Sequence, residues 1–240
     1  NDHKKDSNHL DLLVNVMPKT IVDSYVSVFK GAGLIPYVLE VESQAIVRAL
    51  IKKGENIFST IFIDFGKTKS SFIIFSKNSI RFTSSMPISS QQITNAISDE
   101  LGIEDNKAEE LKIKYDLNSK TEKKYNIEKI VNPILHNLIT QIKKYISFYH
   151  GHVSNEYFPS DGKIEKIILC GGGANLKGLA DFIFKELGIK VELGNPFMNI
   201  ILPPKASKQL ISPQKIFSFT TALGLALRGV DDESLDNYNK

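Results

Sequence analysis

Two segments far apart in the chain carry the residue types that bind phosphate and a divalent cation. The first is Asp64-Phe65-Gly66-Lys67-Thr68-Lys69-Ser70-Ser71, entered from the apolar run Ile57 to Asp64. An aspartate at a strand end before a glycine reaches a Mg²⁺–phosphate group through water without burying an unpaired charge. The same residue in the same place also serves as an Asx-type turn cap, and both readings are open. Thr68 and Ser70 offer hydroxyl donors to phosphate oxygens, while Lys67 and Lys69 add positive charge at the turn. The second segment is Gly171-Gly172-Gly173-Ala174, directly after the apolar run Ile164, Ile167, Ile168 and Leu169. Glycine lacks a Cβ and leaves its N–H unobstructed, so a planar base or a phosphate can lie against the main chain. A tight strand-to-helix connection with no ligand would use the same residues.

Other chemistries find little support. Cys170 is the only cysteine, which excludes an intramolecular disulfide and a cysteine-cluster metal site. It reads as a small buried apolar residue. His150 and His152 fall at a helix end, where histidine normally caps carbonyls, and with His136 they make no convincing ligand set. No nucleophile–base pair or GxSxG motif is visible. A net charge of +3, with lysines spread along helical faces and loops, favours a solvated surface over a nucleic-acid site. No apolar run has the length of a membrane span, and the opening residues are polar rather than signal-like. These features predict a cytosolic protein. Apolar content of 42% and charged content of 24% suit a globular chain that buries a substantial core.

The elements that would position these segments follow from periodicity. Leu10 to Val16 reads as a strand, Pro18 opens a helix with Ile21, Val22, Tyr25, Val26, Val28 and Phe29 on its apolar stripe, and Gly31-Ala32-Gly33 ends it. Ile35 to Val41 reads as a strand, completing a strand–helix–strand unit, and Glu42 to Lys53 as a helix ending at Gly54. A hairpin with a polar tip joins Ile57–Asp64 to Phe72–Phe75, and Ile80 to Met86 supplies a third strand. Helical spacing returns over Gln91 to Leu101 and over Ala108 to Tyr115, with a polar connection from Asp116 to Asn126. A long helix then carries Ile130, Ile134, Leu138, Ile142, Tyr145, Ile146 and Tyr149 on its buried face, with Pro133 in its first turns. After a polar loop, Val153 to Gly162, comes the glycine-rich segment. Its helix would bear Leu176, Leu179, Phe182, Ile183 and Leu187 and stop at Gly188. Val191 to Gly194 reads as a short strand, Pro203 to Gln214 as a loop, Phe217 to Arg228 as a closing helix, and Asp231 to Lys240 as a disordered acidic tail.

The hairpin FIDFGKTKSSFIIF and the turn ILCGGGANLKGL together resemble two nucleotide-binding signatures of the actin-like ATPase superfamily, which includes actin, chaperone ATPases, sugar kinases and FtsA. The runs MPISSQQITNAISDELGIEDNKAEELKIKYD and ELGIKVELGNPFMNI resemble the type IV pilus assembly family PilM. So do MPKTIVDSYVSVFKGAGLIPYVLEVESQAIVRAL near the start and TTALGLALRG near the end. The resemblance covers Leu10 to Gly229. It implies an α/β, actin-like (ribonuclease H-like) ATPase fold, with mixed sheets flanked by helices. A family-type first phosphate hairpin is missing before Leu10, so the expectation is an N-terminally truncated chain that binds ATP poorly. Residues 1–55 would be the remainder of the first half, 56–215 the second half, and 216–240 the closing helix and tail.

The resemblance further implies ATP and Mg²⁺ as ligands, with Asp64 beside the metal through water and Gly66, Lys67 and Thr68 near the phosphates. Gly171, Gly172, Gly173 and Ala174 would face the adenosine, and Glu109 and Lys112 the ribose. Glu42 would polarise an attacking water, making Glu42 and Asp64 the catalytic pair. As bare residues, Glu42 is equally a helix N-terminal acid, and Glu109 with Lys112 a surface ion pair. Lys67 and Lys69 depart from the small or hydroxyl residues more usual at this tip. The implied role is pilus assembly at the inner membrane, with at most weak ATPase activity. Docking would be to the cytoplasmic N-terminal peptide of a bitopic PilN-like partner, with Leu10 to Val41 forming part of the groove, and self-association through uncovered strands is an added expectation. An FtsA-like scaffold, a type II secretion cytoplasmic domain and a sugar-kinase-type phosphotransferase are the alternatives.

Overall fold

The computed structural model describes residues 14–54, 59–118, 126–153, 163–201 and 213–231. The chain divides into two compact units, Asn1–Val41 and Glu42–Lys240. In the first, helix α1 (Lys19–Gly31) follows Pro18, whose fixed φ and missing N–H suit a helix start. None of its residues is buried, and Ile21, Tyr25, Val28 and Phe29 are all exposed. Among the described residues, the expected strand Ile35–Val41 has no strand pairing. An apolar run becomes a strand only when a neighbour takes its backbone N–H and C=O groups, and no described segment pairs with it. Residues 14–16 are not strand either, and the rest of the Leu10–Val16 expectation lies outside the described residues.

The second unit is built on a five-stranded sheet of order β3-β2-β1-β4-β5. Strands β1 (Thr60–Phe65), β2 (Ser70–Ser76) and β3 (Ser79–Met86) form an antiparallel meander, while β4 (Lys166–Cys170) runs parallel to β1 and β5 (Lys190–Leu193) parallel to β4. Alternation along the strands sorts side chains to two faces. Ile61, Ile63, Phe65, Phe72, Ile74, Ile167 and Leu169 pack into one core with helices α3 (Ser90–Leu101), α4 (Asp105–Lys114), α5 (Ile127–Val153) and α6 (Leu179–Leu187). Phe62, Ile73, Phe75, Ile168 and Cys170 face the other way, onto Ile46, Val47, Ala49 and Leu50 of helix α2 (Glu42–Leu50). Both faces are covered, which is why β1, β2 and β4 read as continuous apolar runs.

Two helical boundaries differ from expectation. The segment after β4 first makes a 3-10 turn, Gly172–Asn175, and α6 begins only at Leu179 because Gly178 takes a left-handed conformation at φ 81°. Leu176 therefore belongs to the turn, although it is still buried in the core. Near the end, α7 (Pro213–Ile216) and a 3-10 turn (Phe217–Phe219) precede α8 (Thr220–Asp231). Pro133 is accommodated in the second turn of α5. Most of the connection Asp116–Asn126 and of the loops Val153–Gly162 and Pro203–Gln214 lies outside the described residues, as does the tail beyond Asp231. Among the described residues no helix is long and apolar enough to cross a membrane.

Candidate functional site

Parallel strands β1 and β4 end side by side, with Asp64 in register with Cys170. In open α/β sheets the loops beyond such carboxyl ends form the crevice where ligands bind. Here those loops are the hairpin tip Gly66–Lys69 and the glycine turn. The tip is held from both sides. Gly66 N–H donates to Lys69 O at 3.1 Å, while the carbonyls of Gly66 and Lys67 accept from Ser90 N–H (3.0 Å) and Gln91 N–H (3.1 Å) at the start of α3. Those two N–H groups would otherwise be unpaired helix-end donors. Ser89 and Gln92 complete a capping box at the same end. Lys67, Thr68 and Lys69 are left exposed at the tip. Ser70, by contrast, is fully buried, and its hydroxyl donates to Ile88 O at 2.6 Å, so it is a core residue with no donor left for phosphate.

Asp64 shares its face of β1 with Phe62, the face covered by α2, and so it points toward Glu42 at the first position of that helix. Burial raises the Asp64 carboxyl from 3.8 to about 6; the nearby Glu42 charge adds to the rise and Lys69 opposes it. Glu42 is held at both oxygens. Lys69 Nζ stands 3.6 Å from Oε2, and Thr221 Oγ1 on α8 donates to Oε1 at 3.5 Å. Cys170, buried beneath them, has its thiol pushed well above the ordinary value by burial, then by Asp64 and Glu42, and it is no nucleophile.

The glycine turn packs closely against the end of β1. Gly171 sits at φ 79°, and a Cβ there would run into Asp64 Oδ1 and lie 2.7 Å from Phe65 O. A Cβ on Gly173 would lie 2.5 Å from the Phe65 ring. Both glycines, like Ala174, are buried, and they allow the turn to close onto the end of β1. Gly172 alone among the three is exposed. Gly171 N–H donates to Phe217 O at 3.2 Å, tying the turn to the segment before α8.

Glu109 and Lys112 lie on the other side of the tip. The Lys112 ammonium is buried, and its three donors go to Glu109 Oε2 (2.6 Å), Thr94 Oγ1 (2.9 Å) and Ser90 O (3.2 Å). An ammonium has three donors and no acceptor, so Lys112 has none left for a ribose. The half-exposed Glu109 carboxylate accepts from Lys112 and Thr94 at Oε2. Burial pushes the Glu109 carboxyl up, but hydrogen bonds from Lys112 and Thr94 and the charges of Lys112 and Lys67 together bring it below its ordinary value.

The donor set fits a cation delivered with phosphates. Among the described residues no group of three or more His, Cys, Asp or Glu could cage a metal. Mg²⁺ is commonly held by one or two carboxylates plus substrate phosphates, and the Asp64–Glu42 pair supplies such a locus of negative charge.

A family model described as type IV pilus assembly protein PilM matches residues 1–230. The chain belongs to the PilM family. Its structure resembles a chain of a PilM-PilN type IV pilus biogenesis complex with a TM-score of 0.72 and 26% identity, covering 89% of this chain and 59% of that one. MreB 5 of Spiroplasma citri bound to AMPPNP shares the fold at a TM-score of 0.66 and 14% identity, over 92% of this chain and 68% of that one. The cell division protein FtsA of Enterococcus hirae is 28% identical over 190 residues, 75% of this chain and 43% of the relative. This PilM-family chain thus has the actin-like fold its sequence resembles, and it spans less than two thirds of the matched chain of the pilus complex and of FtsA.

The arrangement brings Glu42, Asp64 and Lys69 together and sets Gly171 against Asp64, with Glu109 and Lys112 on the far side of the tip. Thr221 and the Phe217 carbonyl were not visible as site elements in the sequence, because both sit in a segment with no polar motif. The faint signal was a pair of threonines, Thr220 and Thr221, opening an otherwise small-residue helix.

Proposed function

We propose that this chain forms the nucleotide-binding part of a cytoplasmic assembly protein of the type IV pilus, which binds ATP with Mg²⁺ in the crevice beyond β1 and β4. The observation that carries this reading is the convergence of Asp64, the exposed tip Lys67–Lys69 and Gly172 at the adjacent ends of two parallel strands. Bound Mg²⁺ would neutralise phosphate charge there. Asp64 would hold it through water, and the buried carboxyl would lose its raised proton affinity once a cation sits beside it. Thr68 and the tip lysines are placed to meet phosphate oxygens, Gly172 to approach the base, and Glu109 Oε1 to accept from a ribose hydroxyl. Glu42, braced by Lys69 and Thr221, is the one carboxylate placed to orient a water, consistent with a switching ligand turned over slowly if at all.

Docking at the inner membrane goes through a bitopic PilN-like partner, whose cytoplasmic N-terminal peptide is captured by the whole protein. The likeness to a chain of a PilM-PilN complex supports this. So do the exposed apolar residues Ile21, Tyr25, Val28 and Phe29 of the first unit, which supply the surface such a peptide needs. The test is equilibrium binding of a fluorescent ATP analogue with Mg²⁺, together with anisotropy of a labelled N-terminal peptide from the partner. Saturable nucleotide binding that is lost in Asp64→Ala, with peptide binding retained, is expected. Binding of nucleotide unaffected by Asp64→Ala would reject the site.

A further inference from the structure

Lys69 is a tip lysine already paired with a carboxylate at the crevice. It lies at the hairpin tip with its side chain 58% exposed, and its only ion pair among the described residues is with Glu42, itself 40% exposed. Exposed pairs of this kind contribute little to stability, so the contact is readily exchanged. The two tip lysines also diverge. The charge of Lys69 is felt by Asp64 on one side and that of Lys67 by Glu109 on the other. The tip therefore spans the crevice from its carboxylate end to its α4 end, and Lys69 stands at the carboxylate end.

We infer that Lys69 is a phosphate-sensing latch. Without nucleotide it bridges the hairpin tip to Glu42, and the outermost phosphate of a bound nucleoside triphosphate draws it away, releasing Glu42 and setting a preference for triphosphate over diphosphate. This rests on the nucleotide-binding reading. A terminal phosphate carries more charge than a carboxylate and offers several acceptor oxygens, so it outcompetes Glu42 for one ammonium. If the ribose lies toward Glu109, the far end of the phosphate chain lies toward Glu42, on the side of Lys69 rather than that of Lys67. Once freed, Glu42 remains tethered at its other oxygen by Thr221, which keeps it in the crevice.

The latch makes opposite predictions for its two halves, although both substitutions break the same ion pair. Affinities for Mg·ATP and Mg·ADP are measured by titration calorimetry on the unaltered protein, Lys69→Gln, Lys69→Arg and Glu42→Gln, with melting temperatures as the folding control. Lys69→Gln should weaken Mg·ATP about tenfold and Mg·ADP no more than about threefold, and Lys69→Arg should restore ATP binding to within about twofold. Glu42→Gln should tighten Mg·ATP, because it removes the competitor. Equal losses on ATP and ADP, no loss in Lys69→Gln, or a loss in Glu42→Gln matching that in Lys69→Gln would overturn the latch. If the unaltered protein binds and Asp64→Ala does not, the latch falls in those cases while the nucleotide site stands. If the unaltered protein binds neither nucleotide, both fall together.

Discussion

Replacing Gly171 by alanine separates a packing role for the glycine turn from a ligand-facing one. Gly171 holds φ 79° and ψ 162°, a region that only glycine enters without strain, and side chains forced there cost about 1–3 kcal/mol. The added Cβ would also meet Asp64 Oδ1 and lie 2.7 Å from Phe65 O and 2.8 Å from Phe65 C. Backbone cannot swing aside as a flexible side chain does, and overpacking of this kind adds about 1–3 kcal/mol. Together the two effects predict a loss of about 2–6 kcal/mol, or a fall in melting temperature of about 5–20 °C for a unit of this size. Gly172→Ala is the matched control. Gly172 has no positive φ, and its Cβ would meet only Ser218 Oγ at 3.2 Å, so the loss should stay within about 1 kcal/mol. Urea and thermal unfolding of the two variants beside the unaltered protein provide the assay. Equal stability of the two variants, or a stable Gly171→Ala, would refute the closure of this turn onto β1.

Three other outcomes follow from the same geometry. Because the folded Asp64 carboxyl titrates near 6 rather than 3.8, the folded state holds its proton longer than the unfolded chain, so stability falls as pH rises between those values. Asp64→Asn should therefore gain stability over the unaltered protein as pH rises, by about 3 kcal/mol at most from pH 3 to pH 8 and about half of that from pH 5 to pH 8, and a pH-independent difference in denaturant midpoints would contradict this. Lys112→Ala strips three hydrogen bonds from Ser90, Thr94 and Glu109 and should cost about 2–4 kcal/mol, whereas Glu109→Gln, which leaves two of them, should cost less by chemical denaturation. Gly224→Ala drives a Cβ into the Ala45 carbonyl and should lower the melting temperature by forcing α8 away from α2, while Gly229→Ala, with open space around it, should not.

The sheet was legible because β1, β2 and β4 are covered on both faces, and that burial writes itself as unbroken apolar runs ending at Asp64 and Cys170. The run Ile35–Val41 carries the same signal but has no neighbouring strand among the described residues, and strand pairing is a property of two segments, not one. Gly171 and Gly173 could be picked out by composition, but not their purpose, since their missing side chains are displaced by Asp64 and Phe65 from far earlier in the chain. Lys112 looked like a surface partner of Glu109 at helical spacing; its burial comes from Ser90 and Thr94 on another helix. The bracing of Glu42 by Lys69 and Thr221 likewise joins residues from three elements, and no local pattern encodes such a contact.

Amide hydrogen exchange of the protein with and without Mg·AMPPNP tests the nucleotide crevice most directly, because it reports where a ligand orders the backbone. The account predicts added protection at Gly66–Ser70, at Gly171–Ala174 and in the first turn of α2, all abolished in Asp64→Ala. Protection absent from these segments at saturating nucleotide, or confined to others, would contradict it.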